Sequence, residues 1–211
     1  MKQGSVSNTV VNDRVPGVIR LFDLWHAAPC EARRVPLSRY LAAERIDKVW
    51  WKFDGPLIGR PEAEGDRDWE WRKVVALRRS DLRWESLAVQ TPDKEIQGAI
   101  SYRIDTSSFL DPEVPTVYVD RLAAAPRNRP WLVDTPRYRG VGSRLLLAAV
   151  CHSYALGLGG RVSLISLPSP RTRAFYQRRG FRTVNPYIDG MMEYELEDQA
   201  AQAWLREEGY L

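Results

Sequence analysis

The chain has 211 residues, 44% of them hydrophobic and eight of them tryptophan, which suits one folded domain with a sizeable core and excludes a disordered chain. Its 31 basic and 27 acidic residues leave a net charge of only +4, which admits an anionic ligand without demanding nucleic acid. Two cysteines and two histidines show no metal-ligand spacing and make no disulfide framework, and the sequence shows neither a membrane-spanning run nor a signal-peptide core, so no metal, no membrane and a cytoplasmic setting are the expectations.

In chain order, residues 1–17 read as a loose N-terminal segment and residues 18–211 as one domain. VIRLFDLW, from Val18 to Trp25, reads as a first strand. Ser38 is a candidate cap for a helix over RYLAAERI, although no acidic residue three positions on completes a capping box. FDGPLIGRPEAEGD (53–66) has the Gly and Pro content of a loop. From Asp68, the residues Trp71, Val74, Val75 and the stem of Arg78 recur at helical spacing, which predicts a helix to about Ser80. RWESLAVQ and IQGAISYRI flank Thr91-Pro92-Asp93 and predict a hairpin.

TVYVDRLAAA (Thr116 to Ala125) predicts a long strand, and three prolines make Pro126 to Pro136 largely loop. PRYRGVGSRLLLAAV then puts two glycines at the head of an apolar series that predicts a helix to about Leu156, with Gly157 as its stop. Arg161–Leu167 reads as a buried strand, SPRTRAFYQRRG as a helix ended by Gly180, and MMEYELE as a last strand before a short tail helix. This order predicts an α/β domain with a mixed sheet. Cys30 with His26, and Cys151 with His152, read as structural rather than nucleophilic pairs. Trp50, Trp51, Trp69, Trp71 and Trp84 read chiefly as core and sheet packing, with a patch for an aromatic or acyl group as the alternative.

The glycine stretch excludes two phosphate-binding motifs. A P-loop needs Lys-Ser or Lys-Thr where Ser143-Arg144 stands. A dinucleotide fingerprint needs a third small residue where Leu145 stands, and a strand where the proline-rich loop runs. Arg137-Tyr138-Arg139-Gly140-Val141-Gly142 instead resembles the acyl-CoA loop of the GNAT-type N-acetyltransferases, Gln/Arg-x-x-Gly-x-Gly/Ala. A second segment supports the resemblance. Phe175, Tyr176, Gly180 and Phe181 stand where that family's next helix reads Phe/Leu-Tyr-x-x-x-Gly-Phe, with Ser169 in place of the usual Asn and Thr172 in place of Ala. The resemblance spans about Trp84 to Glu197. The chain departs from the family in the insertion RNRPWLVDT (127–135) between LAAAP and RYRG, which either shapes the active site or is a passive excursion.

The resemblance implies a GNAT-type mixed, mostly antiparallel central sheet flanked by helices, and an N-acetyltransferase that moves the acetyl group of acetyl-CoA to a primary amine by direct attack. Helix N-termini carry free N–H groups and partial positive charge, so Gly140, Val141, Gly142 and Ser143 would cradle the pyrophosphate, with Arg137, Arg139 and Arg144 at the rim. The pantetheine arm would lie along the strand at Leu122 and Ala124, and Ser169 would complete the cofactor set. Tyr176 matches the tyrosine that protonates the departing thiolate. Asp120 is the first candidate base, Tyr118 shares its strand face, and Glu85 is the reserve. The amine acceptor stays open between a small molecule and a protein, its specificity lying in residues 25–80 and 127–135. Two alternatives stand beside this reading: a toxin-type acetyltransferase acting on charged tRNA, and a non-catalytic acyl-CoA-binding module. The family's habit of pairing subunits through edge strands leaves a homodimer open.

Overall fold

The computed structural model describes residues 18–23, 28–37, 40–51 and 64–211. The expectations for residues 1–17, Trp25, His26, the Ser38 cap and most of the loop 53–66 lie outside the described residues. The described strands are β1 (Val18–Asp23), β2 (Ala28–Pro36), β3 (Trp84–Gln90), β4 (Ile96–Ser107), β5 (Pro115–Ala124), β6 (Tyr138–Arg139), β7 (Val162–Ser166), β8 (Arg182–Pro186) and β9 (Met192–Leu196). The helices are α1 (Tyr40–Val49), α2 (Trp71–Arg78), α3 (Val141–Ala155), α4 (Pro170–Arg178) and α5 (Asp198–Glu207).

The strands form one sheet in the order β6-β1-β2-β3-β4-β5-β7-β9-β8. Every neighbouring pair is antiparallel except β5 and β7, which α3 connects as a crossover. The GNAT-type expectation of a mixed, mostly antiparallel sheet flanked by helices therefore holds.

Two cores lie on the two faces. On one, α3 buries Leu145, Leu146, Ala149 and Val150 against Val89, Ile100, Val117, Val119 and Leu164, and Tyr176, Phe181 and Trp204 from α4, its end and α5 complete the layer. On the other, Ile46, Trp50, Trp71 and Val75 of the α1–α2 side pack on Ala88, Ala99 and Ala123. Small strand residues leave room for the indoles, and the Trp50 ring N–H donates to the Ile96 carbonyl at 3.1 Å. Trp50 and Trp71 are thus core residues, whereas Trp51, Trp69 and Trp84 are half-buried.

Helix α2 starts at Trp71 rather than near Asp68, because Asp47 of α1 caps it from a distance. The carboxylate accepts the Trp71 and Arg72 backbone N–H groups at 2.8 and 3.0 Å. Strands β2, β6 and β8 appear where the sequence predicts none. On the α3 face His152 is buried with its Nδ1 3.0 Å from the Tyr102 hydroxyl, and Cys151 is buried beside it.

Glycine at position 98 lets α3 press onto β4. A Cβ there would run into Val141 Cγ1 and stand 2.8 Å from Leu145 Cδ1 and 3.1 Å from the Ala123 carbonyl. Gly98→Ala overpacks this contact and is expected to cost about 1–3 kcal/mol, read as a lower midpoint of urea unfolding at unchanged slope.

Candidate active site

Where α3 begins, Tyr138 and Arg139 pair as β6 with Asp23 and Phe22 of β1, which fixes the chain just before the helix. Gly140 is the N-cap at φ +88°, ψ 0°, a left-handed conformation that favours glycine. The first helical bond runs from the Arg144 N–H to the Gly140 carbonyl at 2.9 Å, so the N–H groups of Val141, Gly142 and Ser143 have no acceptor within the helix. A Cβ at Gly142 would stand 3.6 Å from Phe175 Cζ, an ordinary contact, so protein packing does not demand glycine at that position.

A cleft of about 700 Å³ faces that helix start. Gly140–Ser143, Arg139, Phe175, Arg178 and Arg179 line one side, and Ala124, Asn128, Pro130 and Pro136 the other, with no carboxylate in the lining. Arg179 donates to Ser143 Oγ at 3.0 Å and lies over the Trp204 ring. Arg139 and Arg178 are exposed and form no ion pair among the described residues.

Arg137 and Arg144, expected at the rim, turn away from this cleft. Arg137 is held by Asp93 at 3.1 Å and Glu95 at 3.2 Å in the β3–β4 hairpin, and Arg144 pairs with Glu208 at the end of α5. Arg178 and Arg179 of α4 supply the positive charge instead. The signal for them was QRRG, whose arginines occupy the last turn of a helix that runs back to α3. Ser169 is the N-cap of α4, at the other end of that helix from the cleft-lining arginines.

The second wall is the insertion 127–135. Asn128 donates to the Gln97 carbonyl at 3.2 Å and to its side-chain oxygen at 3.0 Å, and accepts the Tyr138 N–H at 3.1 Å. Arg129, whose side chain is 6% exposed, is held by Asp66 and by Glu64 at 2.6 Å and lies over the Trp51 ring. Its guanidinium also donates twice to the Ala124 carbonyl, at 3.0 and 2.7 Å. Trp131 donates to Glu64 at 2.9 Å. The insertion is therefore anchored to the strands and forms part of the cleft wall.

Strand β5 leaves its neighbour beside this wall. It pairs with β7 only from Val117 to Val119. The Ala125 N–H bonds to the Gln97 carbonyl, which makes Ala125–Gln97 and Ala123–Ala99 the hydrogen-bonded pairs with β4. Leu122 and Ala124 therefore direct their backbone groups to the opposite, open edge. Of these, the Ala124 carbonyl is the one Arg129 holds.

Tyr176 and Asp120 flank the parting point from opposite faces. Tyr176 packs on Phe175, Phe181 and Tyr194, with ring centroids 5.1, 5.5 and 5.8 Å away. Tyr194 opposes Leu164, and Leu164 opposes Val119, the last paired residue of β5. Burial alone pushes the Tyr176 hydroxyl far above the ordinary tyrosine range. Asp120 is the extra residue of a β-bulge, with no partner in β4 between Val119↔Tyr102 and Arg121↔Ser101. It lies on the α2 face, where Arg78 Nη2 meets its Oδ2 at 2.5 Å and Arg121 Nε meets the same oxygen at 3.3 Å. Tyr118 lies on that face too, its hydroxyl pushed up to about 12 by burial and then by the Asp120 charge. Glu85 opposes Tyr102 on the α3 face, away from Asp120, and burial raises its carboxyl.

No protein-family model matches the sequence, and none of the curated proteins does. Solved structures do match. The PaiA N-acetyltransferase of Thermoplasma acidophilum, in complex with coenzyme A, is 17% identical over 79% of this chain and 98% of its own, with a TM-score of 0.51. FdhC, a nucleotide-linked sugar GNAT, is 8% identical over 92% and 97%, with a TM-score of 0.52. A tyrosine-to-phenylalanine mutant of the AtaT toxin, bound to the C-terminus of the antitoxin AtaR and acetyl-CoA, is 14% identical over 75% and 93%, with a TM-score of 0.51. The chain has the GNAT-type acetyltransferase fold.

On this GNAT-type frame the parted strands and the α3 start adjoin one cleft, joined by Ala124. No helix among the described residues is long and apolar enough to cross a membrane, and no cluster of three His, Cys, Asp or Glu among them is placed to hold a metal.

Arg129→Met should leave Asp66 buried without its cation, and Glu64 with only Arg171, at 3.6 Å. The expected loss is about 3–5 kcal/mol, read by chemical denaturation, while Trp131→Phe at the same wall should cost well under half of that.

Proposed function

We propose that this chain is an acyl-CoA-dependent N-acetyltransferase acting on a primary amine by direct attack. The observation that carries the reading is the start of α3. Three free backbone N–H groups, a bare Gly142 that packing does not require, and two guanidiniums without ion pairs converge on a cleft that reaches the open edge of β5. That donor set fits a pyrophosphate. Acetyl-CoA bound there would supply an acetyl thioester.

The chain's own residues divide the remaining work. Val141, Gly142 and Ser143 offer their N–H groups to phosphate, with Arg139, Arg178 and Arg179 adding charge. The Leu122 backbone offers a strand-like edge to an extended amide-bearing arm, and Ala124 offers its N–H there while Arg129 holds its carbonyl. Tyr176 keeps its proton in the buried layer and delivers it to the leaving sulfur. The amine approaches from the α2 face, where both guanidiniums contact Oδ2 of Asp120, so Oδ1 is the oxygen left to receive the amine proton.

Calorimetric titration with acetyl-CoA tests the cofactor half. The native protein should bind, and Gly142→Glu, which sets a carboxylate in the cradle, should weaken binding by at least about tenfold. Loss of native binding would sink the reading. Binding with no thiol release on any amine would instead favour a non-catalytic acyl-CoA-binding module.

Tyr176→Phe tests the acid. Its turnover should fall about 10²-fold with acetyl-CoA affinity nearly unchanged. Because the acid form is the active one and its loss is displaced upward, kcat should show no alkaline fall from this group through about pH 10. A Tyr176→Phe enzyme of native turnover would remove the assignment.

A further inference from the structure

Building on the acetyltransferase reading, we propose that the amine acceptor also carries an anion, a carboxylate or a phosphate, which seats against Arg103 and Arg121 on the α2 face of the sheet.

Opposed residues of neighbouring strands share a face, so the register places Trp84, Arg103 and Tyr118 in one row and Ser86, Ser101 and Arg121 in the next. Arg78 of α2 spans both rows. Its guanidinium lies 3.9 Å from the Trp84 ring centroid, donates to Ser101 Oγ at 2.8 Å and meets Asp120. Arg78 is thus neutralised. The other two cations are not.

Arg121 touches Asp120 only through Nε, at 3.3 Å, which leaves both terminal nitrogens without a hydrogen bond or ion pair among the described residues. Its Cζ lies over the Trp69 ring, 4.6 Å from the centroid, and its side chain is 35% exposed. The Arg103 side chain forms no hydrogen bond or ion pair among the described residues, and its Nε is buried without a partner. Asp81, which feels the Arg103 charge, is already held by Arg83 through both oxygens at 2.9 Å. Two guanidiniums, Arg78 and Arg121, therefore share the Asp120 carboxylate beside the point where β5 leaves β7, and Arg103 adds a third cation on the same face, in the row of Trp84 and Tyr118.

Such a surface repels a simple polyamine and attracts an amine whose other end is anionic. Arg121, held over an indole, presents its terminal nitrogens as a fork for two oxygens. Asp120 beside it then faces the amine end of the same molecule. One acceptor with opposite charges at its two ends matches both groups.

The test titrates acetyl-CoA-saturated protein with inorganic phosphate and, separately, with acetate, following the indole N–H resonances of Trp69 and Trp84. Saturable shifts are expected with at least one anion, which also separates a phosphate from a carboxylate site, and they should vanish in Arg103→Ala/Arg121→Ala. Rates of thiol release are then compared within two pairs, O-phosphoethanolamine against ethanolamine and glycine against glycinamide. The anionic member should be favoured by about tenfold in at least one pair, falling toward parity in Arg121→Ala. No shift with either anion, shifts that survive both substitutions, or equal rates within both pairs would each overturn the proposal. Should none of the four amines turn over, the titration decides alone. A protein that fails to bind acetyl-CoA in calorimetry loses the acetyltransferase reading, while the indole shifts, repeated without cofactor, still report on the arginines.

Discussion

Strands β5 and β7 stay paired for three residues, Val117 to Val119, and then part. The bulge at Asp120 accompanies that parting, since an extra residue bends a strand and sharpens its twist. Most of the site follows from it. The freed edge exposes the backbone groups of Leu122 and Ala124, and the gap separates Tyr176 on the α3 face from Asp120 on the α2 face. α3 then returns from the end of β5 to begin β7, which aims its N-terminus into the same cleft.

Charge is distributed along the same division. Buried ions are closed off by partners. Glu195, wholly buried, is held by Arg161 at 2.9 Å, by Ser108 at 2.6 Å and by the Phe109 N–H at 2.7 Å, and Arg129 is matched by Asp66 and Glu64. Arg139 and Arg178 at the cleft, and Arg103 across the sheet, lack such partners among the described residues, and Arg121 meets Asp120 only through Nε. An arginine count cannot make that distinction. Arg137 stands in the glycine motif yet is spent on Asp93 and Glu95.

What the sequence made legible is what local pattern encodes. The β3–β4 hairpin, the long β5, the apolar α3, β7, β9 and the paired glycines all declare themselves through periodicity, turn chemistry and helix-start signals. Strand β2 was hidden because it carries Glu31, Arg33 and Arg34 and takes its order from flanking strands. β8 is an exposed edge, and β6 is two residues long. The start of α2 depends on Asp47, 24 residues upstream, which no local cap signal contains. In the site, spacing singled out the paired glycines at the start of α3, with Tyr176 and Asp120 as the expected acid and base. The replacement of Arg137 and Arg144 by Arg178 and Arg179 depends on how α4 turns back onto α3, which only the packed structure displays.

Arg129 ties three segments that are far apart in sequence: the insertion, the stretch Glu64–Asp66 ahead of α2, and the last carbonyl of β5. Such a knot restricts how the molecule can diversify. Lengthening the segment before α2 would pull Glu64 and Asp66 off the guanidinium, and the disturbance would reach the open edge of β5 through Ala124. The segment before α2 and the open edge of β5 are consequently not free to vary independently in this chain. Substitutions at Trp69, Trp84 and Tyr118, which lie outside the knot, would meet less resistance.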